Sequence, residues 1–138
     1  MDLAFFDTNV LVYADDDRNP EKQEIAIKLV TEHSRSRSLV ISLQVLQEYY
    51  NTVTRKLGGD PMKAQRKVEI LTQSRVIRFT ESDIVASIEL HRLHQISFWD
   101  AMIIHAARIA KASVLYSEDL GHGSTIAGVR IRNPFAPT

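Results

Sequence analysis

Five short apolar runs, separated by longer stretches with a helical period, constrain this chain more than any other feature. Residues 3–6, 39–41, 76–79, 114–116 and 129–131 are rich in β-branched or aromatic side chains and too short for helices. Between them, residues 21–34 set Ile25, Ala26, Leu29 and Val30 on one stripe. Residues 43–57 do the same with Val45, Leu46, Tyr49, Tyr50 and Val53, and Gly58-Gly59 ends that helix. Pro61 opens another, which carries Val68 and Leu71. Thr80-x-x-Asp83 and Ser97-x-x-Asp100 resemble capping boxes and open two more helices of about fourteen residues each. Strands alternating with helices predict an α/β fold, a parallel sheet covered on both faces. No repeat, low-complexity tract or linker interrupts the pattern, so residues 1–138 read as one domain.

Charge and cysteine content narrow the function. The 17 basic and 17 acidic residues cancel, so nucleic acid is not held by bulk charge; any such contact is local and of modest affinity. Arg35 with Arg37, Arg55 with Lys56, and Arg66 with Lys67 are the candidate patches, although singly each reads as a solvated helix end. Cysteine is absent, which excludes disulfides, thiolate chemistry and cysteine zinc sites and fits a cytoplasmic protein. The N-terminal residues lack the basic and apolar regions of a signal peptide, and no apolar run approaches the ~20 residues of a membrane span.

Fold logic brings four acids to one edge. Ligands of open α/β sheets bind beyond the carboxyl ends of the strands, at the topological switch point. Asp7 follows the first strand and Asp119 the fourth. Glu48 lies in the second turn of a helix that leaves the second strand almost without a loop. Asp100 lies in the first turn of the helix that returns to the fourth strand. This arrangement requires the helix over residues 83–94 to lie obliquely, because two consecutive helices cannot both return to the same edge. Four carboxylates at one edge repel one another, and a cation or retained protons must relieve them. Oxygen ligands select Mg²⁺ or Mn²⁺, and such an ion suits phosphodiester hydrolysis. Each acid also has a plain structural role available: Asp7 as a helix cap, Glu48 as a solvated helix residue, Asp100 as the partner of Ser97, and Asp119 as an Asx-turn residue.

The motifs around these acids resemble those of the PIN-domain nucleases. Phe5-Phe6-Asp7-Thr8-Asn9-Val10-Leu11 is similar to the first motif and Gln47-Glu48 to the second. Phe98-Trp99-Asp100-Ala101-Met102-Ile103 is similar to the third, and Leu115-Tyr116-Ser117-Glu118-Asp119-Leu120 to the fourth. The segment from Gly128 to Phe135 resembles the end of that family's VapC-type bacterial toxin branch. The resemblance spans nearly the whole chain, and all four motifs keep their order and spacing. It implies a three-layer α/β/α sandwich with a five-stranded parallel sheet. It also implies a Mg²⁺- or Mn²⁺-dependent endoribonuclease, commonly the toxin of a type II toxin–antitoxin pair. By this resemblance Asp7 and Asp100 are the principal metal ligands, and Glu48 and Asp119 complete the site. Asn9 braces the loop after the first strand, and the Ser117 hydroxyl orients a metal-bound water. RNA is the implied substrate, a small antitoxin the implied partner, and a homodimer the implied assembly. Glu118 stands beside Asp119 as a second candidate.

Other residues read more plainly. His91 and His94 are three apart on a helix but have no acidic partner in sequence. His105 reads as a core histidine, and His33 sits at a helix C-terminus that favours positive charge. His122, three residues after Asp119, is the one histidine placed near the acids. Trp99 reads as a packing residue. Two other functions compete. A phosphatase with an aspartyl nucleophile would need a second Asp where Asn9 stands, and an inactive binding module would have no reason to keep four repelling acids.

Overall fold

The structure, a computed structural model, describes residues 2–137. Met1 and Thr138, the ends of the expected domain, lie outside the described residues. The elements are β1 (Ala4–Phe6), α1 (Thr8–Tyr13), α2 (Pro20–Arg35), β2 (Leu39–Ser42), α3 (Leu43–Arg55) and α4 (Pro61–Leu71), followed by β3 (Arg75–Ile77), α5 (Glu81–His94), α6 (Phe98–Ile109), β4 (Val114–Tyr116), β5 (Thr125–Ile126) and β6 (Val129–Arg132).

The strands form one sheet in the order β3-β2-β1-β4-β6-β5. The five expected runs pair in parallel, with Phe5 opposite Val40 on one side and Leu115 on the other. The central strands β1 and β2 are buried throughout, as a sheet covered on both faces requires. At β6 the pattern changes: Val129 and Ile131 point inward, Arg130 and Arg132 outward. The expected five-stranded parallel sheet is corrected in one respect. Beyond β6 a sixth, two-residue strand, β5, pairs antiparallel, with Thr125 opposite Arg130. Ala127 and Gly128, at φ 51° and 81°, turn the chain between them, the backbone that a two-residue hairpin needs. A strand of two residues carries too little alternation to be read from sequence.

Strand order places the switch point between β1 and β4, since the chain builds outward from β1 to β2 and β3 and then crosses to β4. Helices α1 to α4 pack on one another, and α5 pairs with α6. The α5–α6 pair resolves the difficulty over two consecutive helices. Asp83, at the start of α5, meets His105 well along α6, and His91, near the end of α5, bonds the Ile96 carbonyl just before α6. The two helices are therefore antiparallel, and α5 climbs back to the edge from which α6 descends. The chain leaves β3 at Ile77, two residues earlier than expected, which lets Phe79 pack edge-on against His105 at 5.3 Å. Among the described residues no helix is long and apolar enough to cross a membrane.

Candidate active site

Strand-to-helix junctions without loops deliver the acids. Asp7 follows β1 directly. Its N–H donates to the Tyr116 carbonyl (2.9 Å), which prolongs the β1–β4 ladder by one residue. Its Oδ1 then accepts from the Thr8 N–H at 2.7 Å and caps α1. Ser42 is both the last residue of β2 and the N-cap of α3, its hydroxyl accepting from the Val45 N–H at 3.3 Å. Glu48 is thereby kept within two turns of the sheet edge. At α6 the Ser97 hydroxyl accepts from the Asp100 N–H at 3.0 Å. The reciprocal bond that closes a capping box at Thr80 and Asp83 has no counterpart here. Asp100 thus receives a cap without spending its carboxylate on one.

Asp7, Glu48, Asp100 and Asp119 line one cleft of about 340 Å³ at the switch point. Three of them are held by named partners. Asp7 is 8% exposed, and its Oδ2 accepts from the Ser117 hydroxyl at 2.8 Å. Glu48 Oε1 accepts from the Thr8 hydroxyl at 3.0 Å. Asp119 Oδ2 accepts from Asn9 Nδ2 at 2.8 Å. Asn9, expected to brace the loop after the first strand, instead ties α1 to the loop after β4. Ser117, fully buried, donates its hydroxyl hydrogen bond to Asp7 and accepts from the Asp119 N–H at 3.3 Å. Its hydroxyl thus links the Asp7 carboxylate to the backbone of Asp119.

The proton affinity of Asp7 reflects this setting. Its pKa is raised to about 6, chiefly because burial disfavours the carboxylate. The Ser117 and Thr8 hydrogen bonds oppose the shift, and the charges of Glu48 and Asp100 add to it. Repulsion among the acids is thus present but is not the main cause.

The PIN domain family model matches residues 4–124. The chain belongs to the PIN-domain family. Members of the family are nucleases that generally use divalent metal ions. Among solved structures this PIN domain is similar to a Mycobacterium tuberculosis toxin described as sarcin-ricin loop cleaving, VapC20, at 21% identity and TM-score 0.66 over 92% of this chain and 98% of that one. It is also similar to VapBC2 of Rickettsia felis, solved on a DNA fragment from its promoter, at 22% identity and TM-score 0.69 over 95% and 98%. A toxin–antitoxin complex from Klebsiella pneumoniae matches at 19% identity and TM-score 0.69 over 96% and 98%. At these identities the likeness is one of fold. No curated protein matches the sequence.

The donor set of this PIN domain suits a hard divalent cation. Every acid of the cleft offers oxygen. Asn9 Oδ1 is buried beside Asp119 and has no hydrogen-bond partner among the described residues. Among the described residues, no three acidic or histidine side chains stand close enough to enclose an ion by themselves.

Other residues fall outside or beside the site. Glu118 does not line the cleft itself; its carboxylate accepts from Lys22 and from Tyr13, a residue of the cleft wall. His122 accepts from the Asn133 N–H at 3.1 Å and lines a different groove, with Tyr116 and Arg132. His105 is buried between Asp83 and Arg108. His33 is also buried, 2.6 Å from the Ser38 hydroxyl, and burial lowers its pKa. It therefore does not serve as the expected helix-end cation. Trp99, read as a packing residue, meets Phe98 edge-on at 5.3 Å but is 61% exposed. Sequence reading missed Asp16 and Arg18, which also line the cleft. Asp16 is committed to Arg18 (2.9 Å) and Asn19 (2.9 Å), and the Arg18 hydrogen bond holds its carboxyl below the usual range. A three-residue spacing in a turn carries no periodic signal that would have marked it. Lys56, named within a basic pair, lines the same cleft.

Proposed function

We propose that this PIN domain is an endoribonuclease dependent on Mg²⁺ or Mn²⁺, with Asp7 and Asp100 as the principal metal ligands and Glu48 and Asp119 completing the site. The observation that carries this reading is the convergence of these four carboxylates on one cleft, with Asp7 buried and raised in pKa. A bound divalent ion supplies polarisation of the phosphate, a more acidic water and stabilisation of the leaving oxygen. The chain's own residues prepare for it. Ser117 and the Thr8 N–H orient the two Asp7 oxygens, Thr8 holds Glu48, and Asn9 holds Asp119. Arg18 and Lys56 on the cleft wall offset the acids where phosphates approach.

The proposed biological role is the toxin of a type II toxin–antitoxin pair, active in the cytoplasm as a homodimer and silenced by a small antitoxin over the cleft. The toxin–antitoxin complexes among the similar structures support this role. In the deciding experiment the purified protein is incubated with total RNA, with Mg²⁺, Mn²⁺ or chelator. Cleavage requires either ion, stops on chelation, and is lost in Asp7→Asn and Asp100→Asn proteins that keep their circular dichroism. Full activity after exhaustive chelation, or a wild-type rate in folded Asp100→Asn, overturns the site. The product of a short neighbouring reading frame, co-expressed with the chain, binds it and suppresses cleavage; failure to bind overturns the toxin role alone.

A further inference from the structure

Glu118 and Asp119 are adjacent acids after β4, and the structure gives them different partners: Asn9 for Asp119, Tyr13 and Lys22 for Glu118. Asp119 lines the cleft. Glu118 accepts from the Tyr13 hydroxyl through Oε1 at 2.8 Å and from Lys22 Nζ through Oε2 at 2.5 Å. Lys22 is held on further sides as well. Its ammonium lies 3.3 Å from the Tyr13 hydroxyl, 4.8 Å from the centre of the Tyr13 ring and 5.7 Å from that of Phe135. The two rings meet edge-on at 4.9 Å. One cation thus ties together the end of α1, the first turn of α2, the loop after β4 and the C-terminal segment.

This clasp closes on the residue before Asp119. Asp119 is exposed and has little holding of its own: a bond from Asn9 to its carboxylate and a 3.3 Å bond from its N–H to Ser117. Beyond it Leu120 packs on the core, the chain turns through Gly121 at φ 90°, and its next backbone tie to the sheet is the Gly123 N–H to the Ile131 carbonyl at 3.0 Å. Residue 118 is therefore the last well-held point before the acid. We propose that Lys22 and Tyr13 are positioning residues that act through Glu118 to hold Asp119 in the cleft, so that Glu118 is an anchor and not a metal ligand. The inference rests on the metal-site reading above. An ion pair as open as this one, with Lys22 38% and Glu118 23% exposed in their side chains, contributes little to global stability. Its effect is local, like that of the outer partners which orient metal ligands.

The test is Mn²⁺ binding by calorimetry, with Mg²⁺-dependent RNA cleavage alongside. Lys22→Met, which keeps the apolar stem, weakens Mn²⁺ binding by about tenfold. The Mg²⁺ needed for half-maximal cleavage rises by the same factor, and the rate at saturating Mg²⁺ stays near wild type. Lys22→Arg restores binding, since it returns the charge. Glu118→Ala reproduces the Lys22→Met loss, and the double variant loses no more than either single one, the signature of residues acting as a unit. Unchanged Mn²⁺ affinity in folded Lys22→Met and Glu118→Ala, or a loss that Lys22→Arg leaves in place, overturns the clasp while the metal site stands. Additive losses overturn it too, because they would make Glu118 an independent ligand. Absence of Mn²⁺ binding in the wild type overturns the metal site, and the clasp with it. Should Lys22→Met fail to fold, Glu118→Gln, which keeps the tyrosine bond and removes the charge, takes its place.

Discussion

At Asp7 one buried carboxylate caps α1 through Oδ1 and takes the Ser117 hydroxyl on Oδ2. Its folded pKa, about 6, lies above the unfolded value near 4. A raised folded pKa contributes stability that is fully present below the unfolded value and lost as pH rises through the folded one. The metal-free protein should therefore lose about 3 kcal/mol from this group between pH 4 and pH 8. His33 titrates in the opposite sense, because its lowered pKa costs stability as pH falls, so the comparison must be with Asp7→Asn. Urea unfolding of both proteins in chelator gives the difference, and a difference independent of pH would remove burial of Asp7 as the cause. Ser117→Ala leaves Asp7 Oδ2 buried without its donor. It should cost about 1–3 kcal/mol, read from the same unfolding curves, and should push the Asp7 titration still higher.

Among the elements, α6 depends on a hydroxyl. Ser97→Ala removes the acceptor for the Asp100 N–H and should cost about 1 kcal/mol of stability, measured as a lowered Tm. RNA cleavage should fall with it, because the frayed turn is the one that presents Asp100. Helix α3 is ended by close approach as well as by composition. The Gly59 N–H donates to the Val53 carbonyl at 2.9 Å, and a Cβ at Gly59 would meet Val53 Cγ1 at 2.9 Å. Gly59→Ala should therefore destabilise by about 1–3 kcal/mol through overpacking, whereas ordinary relief of glycine flexibility would stabilise. Thermal unfolding of this one variant separates the two.

For the whole molecule, zero net charge sets the expectation for RNA. Among the described residues the cations lining the cleft are Lys56 and Arg18, the latter already paired with Asp16, so few counterions are released on binding. The slope of log affinity against log salt should stay below about 3 in magnitude, by filter binding of the Asp100→Asn protein to RNA; a steep slope would mean that a larger basic surface is engaged. Added Mg²⁺ should raise the Tm of the wild type, since binding to the folded state alone stabilises it, and should raise that of Asp7→Asn less.

Much of this protein was legible in residue order. The five parallel strands, the helix starts at Pro61, Thr80 and Ser97, and the four acids at strand ends or in early helix turns follow from periodicity and capping, which act over a few residues. Their meeting at one edge follows from the rule that sheets bind ligands beyond strand carboxyl ends. Contacts set by distant segments were decided by the tertiary structure. Asp119 and Glu118 are chemically alike in sequence; only the placement of Asn9 on α1 and Lys22 on α2 sends one to the cleft and the other to the clasp. Ser117 binds Asp7 because β4 is the neighbour of β1, and His33 is buried because α2 packs on β2. The strand β5 exists because a left-handed turn returns it to β6. Local order selects the elements because helix and strand periodicities are short-range. Which side chain faces which depends on segments as much as 110 residues apart, as with Asn9 and Asp119, and is determined only once the sheet has closed.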